Sequence, residues 1–102
     1  MAGNEFLVHA LLEEAPLGVD ALCRVGGVSP QWVQERVTAG LLAVAMVGGD
    51  DWRFDAVALH RVRCMVRLER DFDAVPELAA LVADLQDEIE RLRARLAAAG
   101  IG

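Results

Sequence analysis

The chain has no lysine, and its first half has little basic charge of any kind. Ten arginines face sixteen acids, which leaves a net charge of −6 and a pI near 4.7. The missing lysine carries no functional weight by itself; the sign of the total does. Duplex DNA attracts proteins mainly through phosphate neutralisation, which needs a basic face. An acidic chain favours protein partners, preferably basic ones. Long apolar runs are missing too: "LLAVAMV" (Leu41 to Val47) falls far short of the ~20 residues a membrane span needs. The opening "MAGNEFLVHALLEEA" has no basic start and carries acids, so a secretory signal is not expected and a cytoplasmic protein is.

Catalytic and ligand-binding signatures are scarce as well. Cys23 and Cys64 belong to no CxxC, and buried free thiols are the expectation. His60 and Cys64 stand at i, i+4, a spacing two metal ligands could use. A site needs three or four, and no further Cys or His lies near in sequence, so no metal site is expected. There is no nucleophile–base arrangement, no GxGxxG and no P-loop, and Gly48-Gly49 is too short to cradle phosphate. Neither a catalytic nor a cofactor site is expected, and the chain does not read as an enzyme. Nothing selects a small-molecule effector.

What is present is a succession of short elements in 102 residues, enough for one small domain. Residues 5 to 14 fit a short strand or a helical turn, and Pro16 interrupts them. "LGVDALCRVGG" predicts a short amphipathic helix with Val19, Leu22 and Cys23 inward and Gly26-Gly27 at its end. Ser29 can cap a second helix, Pro30 suits its first turn, Trp32, Val33, Arg36 and Val37 follow at helical spacing, and Gly40 stops it. In "LLAVAMVGGDDWRFD" an apolar run, a Gly-Gly-Asp-Asp turn and a run with two aromatics predict a β-hairpin. Two short helices and a hairpin describe a winged helix-turn-helix. Trp52 and Phe54, at the base of the wing, suit either an anchor to the core or a partner contact. From Asp55 a third helix carries Ala58, Val62, Met65, Leu68 and Phe72 on one side, and His60, Arg63, Arg67 and Arg70 as a basic stripe on another. The stripe suits a solvated face first, and a contact for another helix or a partner second.

"VPELAALVADLQDEIERLRARLAAAG" is the clearest element. Pro76 and Glu77 suit a helix start, and Arg91, Arg93 and Arg95 cluster towards its negative end. Val82, Ile89 and Leu96 fall at a, and Leu78, Leu85 and Leu92 at d, of a heptad seam. Asp87 and Arg91 add an i, i+4 pair. A small head cannot cover so long a stripe, so these six residues are expected to form a dimer interface. Parallel and antiparallel pairing are both electrostatically sound. The chain divides into a head with a connecting helix, residues 1–74, and a dimerisation helix, residues 75–102.

"DALCRVGGVSPQWVQERVTAGLL", a wing ending "DWRFD", and two further helices resemble the MerR superfamily in their order. "WRFDAVALHRVRCMVRLERDF" followed by "ELAALVADLQDEIERLRARL" is similar to its chaperone-modulator branch, the CbpM family, so that the resemblance runs from about Val19 to Leu96. It implies a mainly α fold, a winged helix-turn-helix head with a C-terminal coiled-coil helix. It also implies binding to the J-domain of a DnaJ-like co-chaperone, restraining its work with the DnaK-type chaperone. The J-domain carries a basic helix, so an acidic modulator can compete for that surface. The alternative is a MerR-like DNA-binding regulator, favoured if Arg24, Arg36 and Arg53 converge on one face.

Charge counting along the chain favours the protein partner. Residues 1–54 hold three arginines and seven acids, a net of −4 in the module that would meet phosphates; residues 55–74 sum to zero and 75–102 to −2. Glu35 lies in the helix that would read DNA, and Asp50 and Asp51 at the wing tip. These three are the leading partner-binding candidates, with Asp20 as an extension. Glu69, Asp71 and Asp73, at the junction of the last two helices, form a rival site.

Overall fold

A computed structural model describes residues 16–48 and 51–100. The ambiguous segment 5–14, the middle of the wing turn and Asp50 lie outside the described residues. Among the described residues, four helices and a three-stranded antiparallel sheet make a mainly α, MerR-like head with a hairpin wing and a long last helix. In chain order these are β1 (Leu17–Gly18), α1 (Val19–Gly26), α2 (Pro30–Thr38), β2 (Met46–Gly48), β3 (Asp51–Phe54), α3 (Ala56–Asp71) and α4 (Pro76–Ala98).

The helix boundaries follow from local chemistry. Gly27 adopts φ 71° after α1, a left-handed conformation that lets its N–H reach the Cys23 carbonyl at 2.9 Å. Ser29 Oγ accepts from the Trp32 N–H at 3.1 Å and Pro30 fills the first turn of α2. Asp55 caps α3 by accepting from the Ala58 N–H at 2.9 Å. Pro76 opens α4, with Glu77 in its first turn and Arg95 in its last.

Sequence reading anticipated the hairpin and missed its third strand. β1 pairs with the free edge of β3, Leu17 opposite Phe54 and Gly18 opposite Arg53, while β2 pairs with the other edge, Val47 opposite Trp52. The apolar run from Leu41 contributes only its end to β2; Leu42 turns into the core instead. A second expectation fails at Phe72. It caps α3 and is 73 % exposed, because the helix ends there and Asp73, at φ 54°, turns the chain away before the inward side returns.

Two hydrophobic clusters share α3. Ala58, Leu59, Val62 and Val66 join Leu22, Cys23, Val33, Leu42 and Phe54 in the head; Cys64 and Met65 join Ala79, Ala80 and Ala83 of α4. Trp32 packs against both. Trp52 packs on the head cluster and meets Phe54 edge-on, ring centres 6.5 Å apart. Phe54 is wholly buried, so the wing's aromatics anchor it to the core. Cys23 and Cys64 are free and buried, and burial pushes both thiols up from their usual range, with Asp20 adding to the effect at Cys23.

The join between α1 and α3 is tight at Gly26, where a Cβ would lie 2.8 Å from Val62 Cγ1, whereas Gly48 has open space. Gly26→Ala should therefore lower stability by about 1–2 kcal/mol even after the alanine's better helix propensity, while Gly48→Ala stays within about 0.5 kcal/mol. Urea denaturation of both variants checks this; equal midpoints would mean that α1 does not sit on Val62 as described.

Candidate functional site

The head's basic residues part company in the folded chain. Arg24 is exposed on the last turn of α1, and Arg53 is half-exposed on β3, 3.6 Å from Asp51. Arg36 points the other way. Its Nη2 donates to Glu69 Oε1 at 2.8 Å, its guanidinium lies 4.3 Å from the centre of the Trp32 ring, and its side chain is only 11 % exposed. Trp32 Nε1 donates to the same Glu69 oxygen at 3.1 Å. One carboxylate of α3 thus holds α2 by two charge-assisted hydrogen bonds, one of them also an ion pair, and a cation–π contact closes the triangle. Arg36 Nε and Glu69 Oε2 are buried without a partner among the described residues, a cost the bridging oxygen must offset.

This leaves the outward face of α2 without a cation. Gln31, Gln34, Glu35 and Thr38 are exposed, and Glu35 lies 3.6 Å from Arg36 Nη1 with 60 % of its side chain exposed. The three arginines do not converge on one face: Arg36 is withdrawn into the α2–α3 join.

The acids singled out from sequence fall on separate elements. Asp20 is exposed in the first turn of α1, Glu35 on α2 and Asp51 on the wing, and no hydrogen bond or ion pair joins them among the described residues. At the junction, Asp71 and Asp73 are exposed, but Glu69 is tied to Arg36 and Trp32. Nothing local in the sequence marked Glu69 as a structural group, since its partners come from another helix.

Along α4 two faces do different work. Ala79, Ala80 and Ala83 are buried against α3, whereas Leu78, Leu85, Ile89, Leu92 and Leu96 are each about half exposed and Val82 is half-buried. At 100° per residue the two faces lie roughly 140° apart, so the heptad seam is not consumed by the packing of α4 on α3 among the described residues. From Glu88 onward every described residue is exposed. The expected Asp87–Arg91 pair does not form; Arg91 pairs with Glu88, one turn back at i, i+3, instead. Arg61, absent from the sequence reading, fastens α4 and the segment after α2 to α3. Its Nε donates to the Leu41 carbonyl at 2.7 Å and its Nη1 to Asp84 at 2.6 Å.

Of the basic stripe on α3, all four residues are exposed, and Arg70 also donates to the Gly27 carbonyl at 2.8 Å. Two clefts beside α2, of about 190 and 210 Å³, are smaller than the ~300 Å³ at which ligand pockets begin. No helix among the described residues is long and apolar enough to cross a membrane.

Comparison with known proteins bears on this arrangement. A family model described as MerR HTH family regulatory protein matches residues 17–98. A chaperone modulatory protein, CbpM, from Pseudomonas entomophila (strain L48) is 30 % identical over 77 residues, 76 % of this chain and 76 % of that protein. No solved structure matches the chain at a significant level.

The Glu69 bridge should dominate the α2–α3 join. Glu69→Ala, which strands a largely buried guanidinium, is expected to cost about 2–3 kcal/mol, and Glu35→Ala, on the exposed side, less than about 0.5 kcal/mol. Chemical denaturation separates them, and similar losses at the two positions would remove Glu69 from this role.

Proposed function

The chain belongs to the MerR HTH regulatory-protein family as a CbpM-like member, and from that premise we propose that it is a protein-binding modulator of a chaperone system. The partner is the J-domain of a DnaJ-like co-chaperone, whose work with the DnaK-type chaperone it restrains. The observation that carries this reading is the withdrawal of Arg36. A helix-turn-helix that reads DNA needs cations toward phosphate and donors toward base edges. Here the arginine of α2 is spent on Glu69, and the exposed face presents Glu35 among neutral side chains. With a net of −4 over residues 1–54, the head suits a basic partner better than a polyanion.

Residues 1–74 serve as the binding head and residues 75–102 as the dimerisation helix. The homodimer is supported by the half-exposed stripe Leu78, Val82, Leu85, Ile89, Leu92 and Leu96 and by the bare end of α4. A helix that leaves its leucines in water while packing its alanines inward has a second surface to cover. Asp20, Glu35, Asp50 and Asp51 on the head are proposed to meet the basic J-domain. The rival junction is reduced to Asp71 and Asp73, because Glu69 is already engaged. A DNA-binding regulator stays the second reading, favoured by the helix-turn-helix description of the family and by exposed Arg24 and Arg53.

Replacing Leu85 and Ile89 by Asp should convert a dimer into a folded monomer, since the seam lies away from the face packed on α3. Sedimentation with circular dichroism reads both states, and a wild-type chain that stays monomeric at micromolar concentration refutes the dimer.

The triple change Glu35→Gln, Asp50→Asn and Asp51→Asn should slow association with a J-domain and flatten its dependence on salt. Asp71→Asn with Asp73→Asn is the control, measured by stopped-flow or surface plasmon resonance. Loss of binding in the control alone moves the site to the junction. Tight, salt-sensitive binding to duplex DNA in place of the J-domain restores the regulator reading.

A further inference from the structure

Along the sequence, His60 and Cys64 have no third metal-ligating group beside them. The fold supplies partners from another helix. Where α4 packs against α3, a ring nitrogen of His60 and one carboxylate oxygen each of Asp87 and Glu90 lie within 4.8 Å of one another. Cys64 is not one of the three: its thiol is buried and donates to Gln86 Oε1 at 3.0 Å.

We propose that His60, Asp87 and Glu90 form a site for a divalent transition-metal ion, zinc in the first instance, which clamps α4 to α3. The neighbouring acids show how this group differs. Asp84 is paired to Arg61 and Glu88 to Arg91, whereas Asp87 and Glu90 have no ion-pair partner among the described residues. Nor does a hydrogen bond join His60 to either carboxylate among them. The three groups are gathered but not bonded to each other, so no internal pairing has to be broken for an ion to enter.

The donor chemistry selects the ion. Two carboxylates with a neutral imidazole carry a charge of −2, which a dication balances, and the imidazole favours zinc, nickel or cobalt over magnesium or calcium. Ligands about 2.0–2.2 Å from zinc in a tetrahedral shell lie roughly 3.4 Å apart, so the three groups need close by no more than about 1.4 Å. His60 and Glu90 are exposed and free to rotate by that much, while half-buried Asp87 sets the place. Water would complete the shell. From Glu88 onward every described residue of α4 is exposed, so an ion held through Glu90 would fix the helix at the point where it leaves the head.

The test is a zinc titration of the full chain after chelator treatment, read by calorimetry and by thermal unfolding. One zinc per chain is expected, with a rise in unfolding temperature. Affinity should fall at least about tenfold in His60→Ala and in the double change Asp87→Asn with Glu90→Gln, and stay unchanged in Cys64→Ser. The exposed position of His60 leaves the core intact in that variant, and circular dichroism verifies it. No saturable binding, binding indifferent to His60→Ala, or loss in Cys64→Ser alone would each overturn the proposal.

Discussion

A small chain with one long helix cannot bury every apolar face it makes, and α3 is where this constraint is met. The head cluster takes one side of α3 and the α4 alanines another, so that Val62 and Met65, three residues apart, are both fully buried against different neighbours. Arg61, one residue before Val62, ties α4 and the loop after α2 to this shared helix. The wing, the two short helices and the long helix are therefore all referred to one element. A change that tilts α3 moves the acidic head and the leucine stripe together.

The same helix decides the electrostatics of the head. Glu69 reaches from α3 to Trp32 and Arg36, which removes a cation from the surface of α2 without removing it from the sequence. Residues 1–54 hold three arginines, but one of them is no longer available to a partner. Folding has made the face that would lie against a polyanion less basic than the composition suggests.

The legible part of the sequence was the part governed by neighbours. Ser29 before Pro30, the Gly26-Gly27 stop, Asp55 before an apolar-periodic run and Pro76 with Glu77 each act within a turn, and the structure places caps and helix starts there. The exposed stripe of α4 was legible because a heptad is also local. What could not be read depends on residues far apart. β1 is two residues long, too short for any period, and exists because β3 offers a free edge. Phe72 continues a spacing that its helix does not, and the turn at Asp73 has no strong signal in the sequence. Glu69 belonged to an acidic cluster by position and to the α2–α3 join by contact. The grouping of His60 with Asp87 and Glu90 could not be seen along the chain because the two acids arrive from the next helix.

The division of labour on α4 follows from side-chain size. Alanines at 79, 80 and 83 let the helix backbone approach α3 closely, where Cys64 and Met65 fill the space between. Leucines on that face would hold the helices apart and overpack the small second cluster. The large residues sit instead on the other side, at 78, 85, 89, 92 and 96, which with Val82 follow the alternating steps of four and three of a coiled-coil seam. Placing small residues against α3 and large ones outward gives the helix one short, close contact with its own head and leaves a long apolar stripe for the proposed dimer. The exposed leucines are thus a consequence of how the alanines pack, and the acidic head is carried at a fixed distance from whatever those leucines meet.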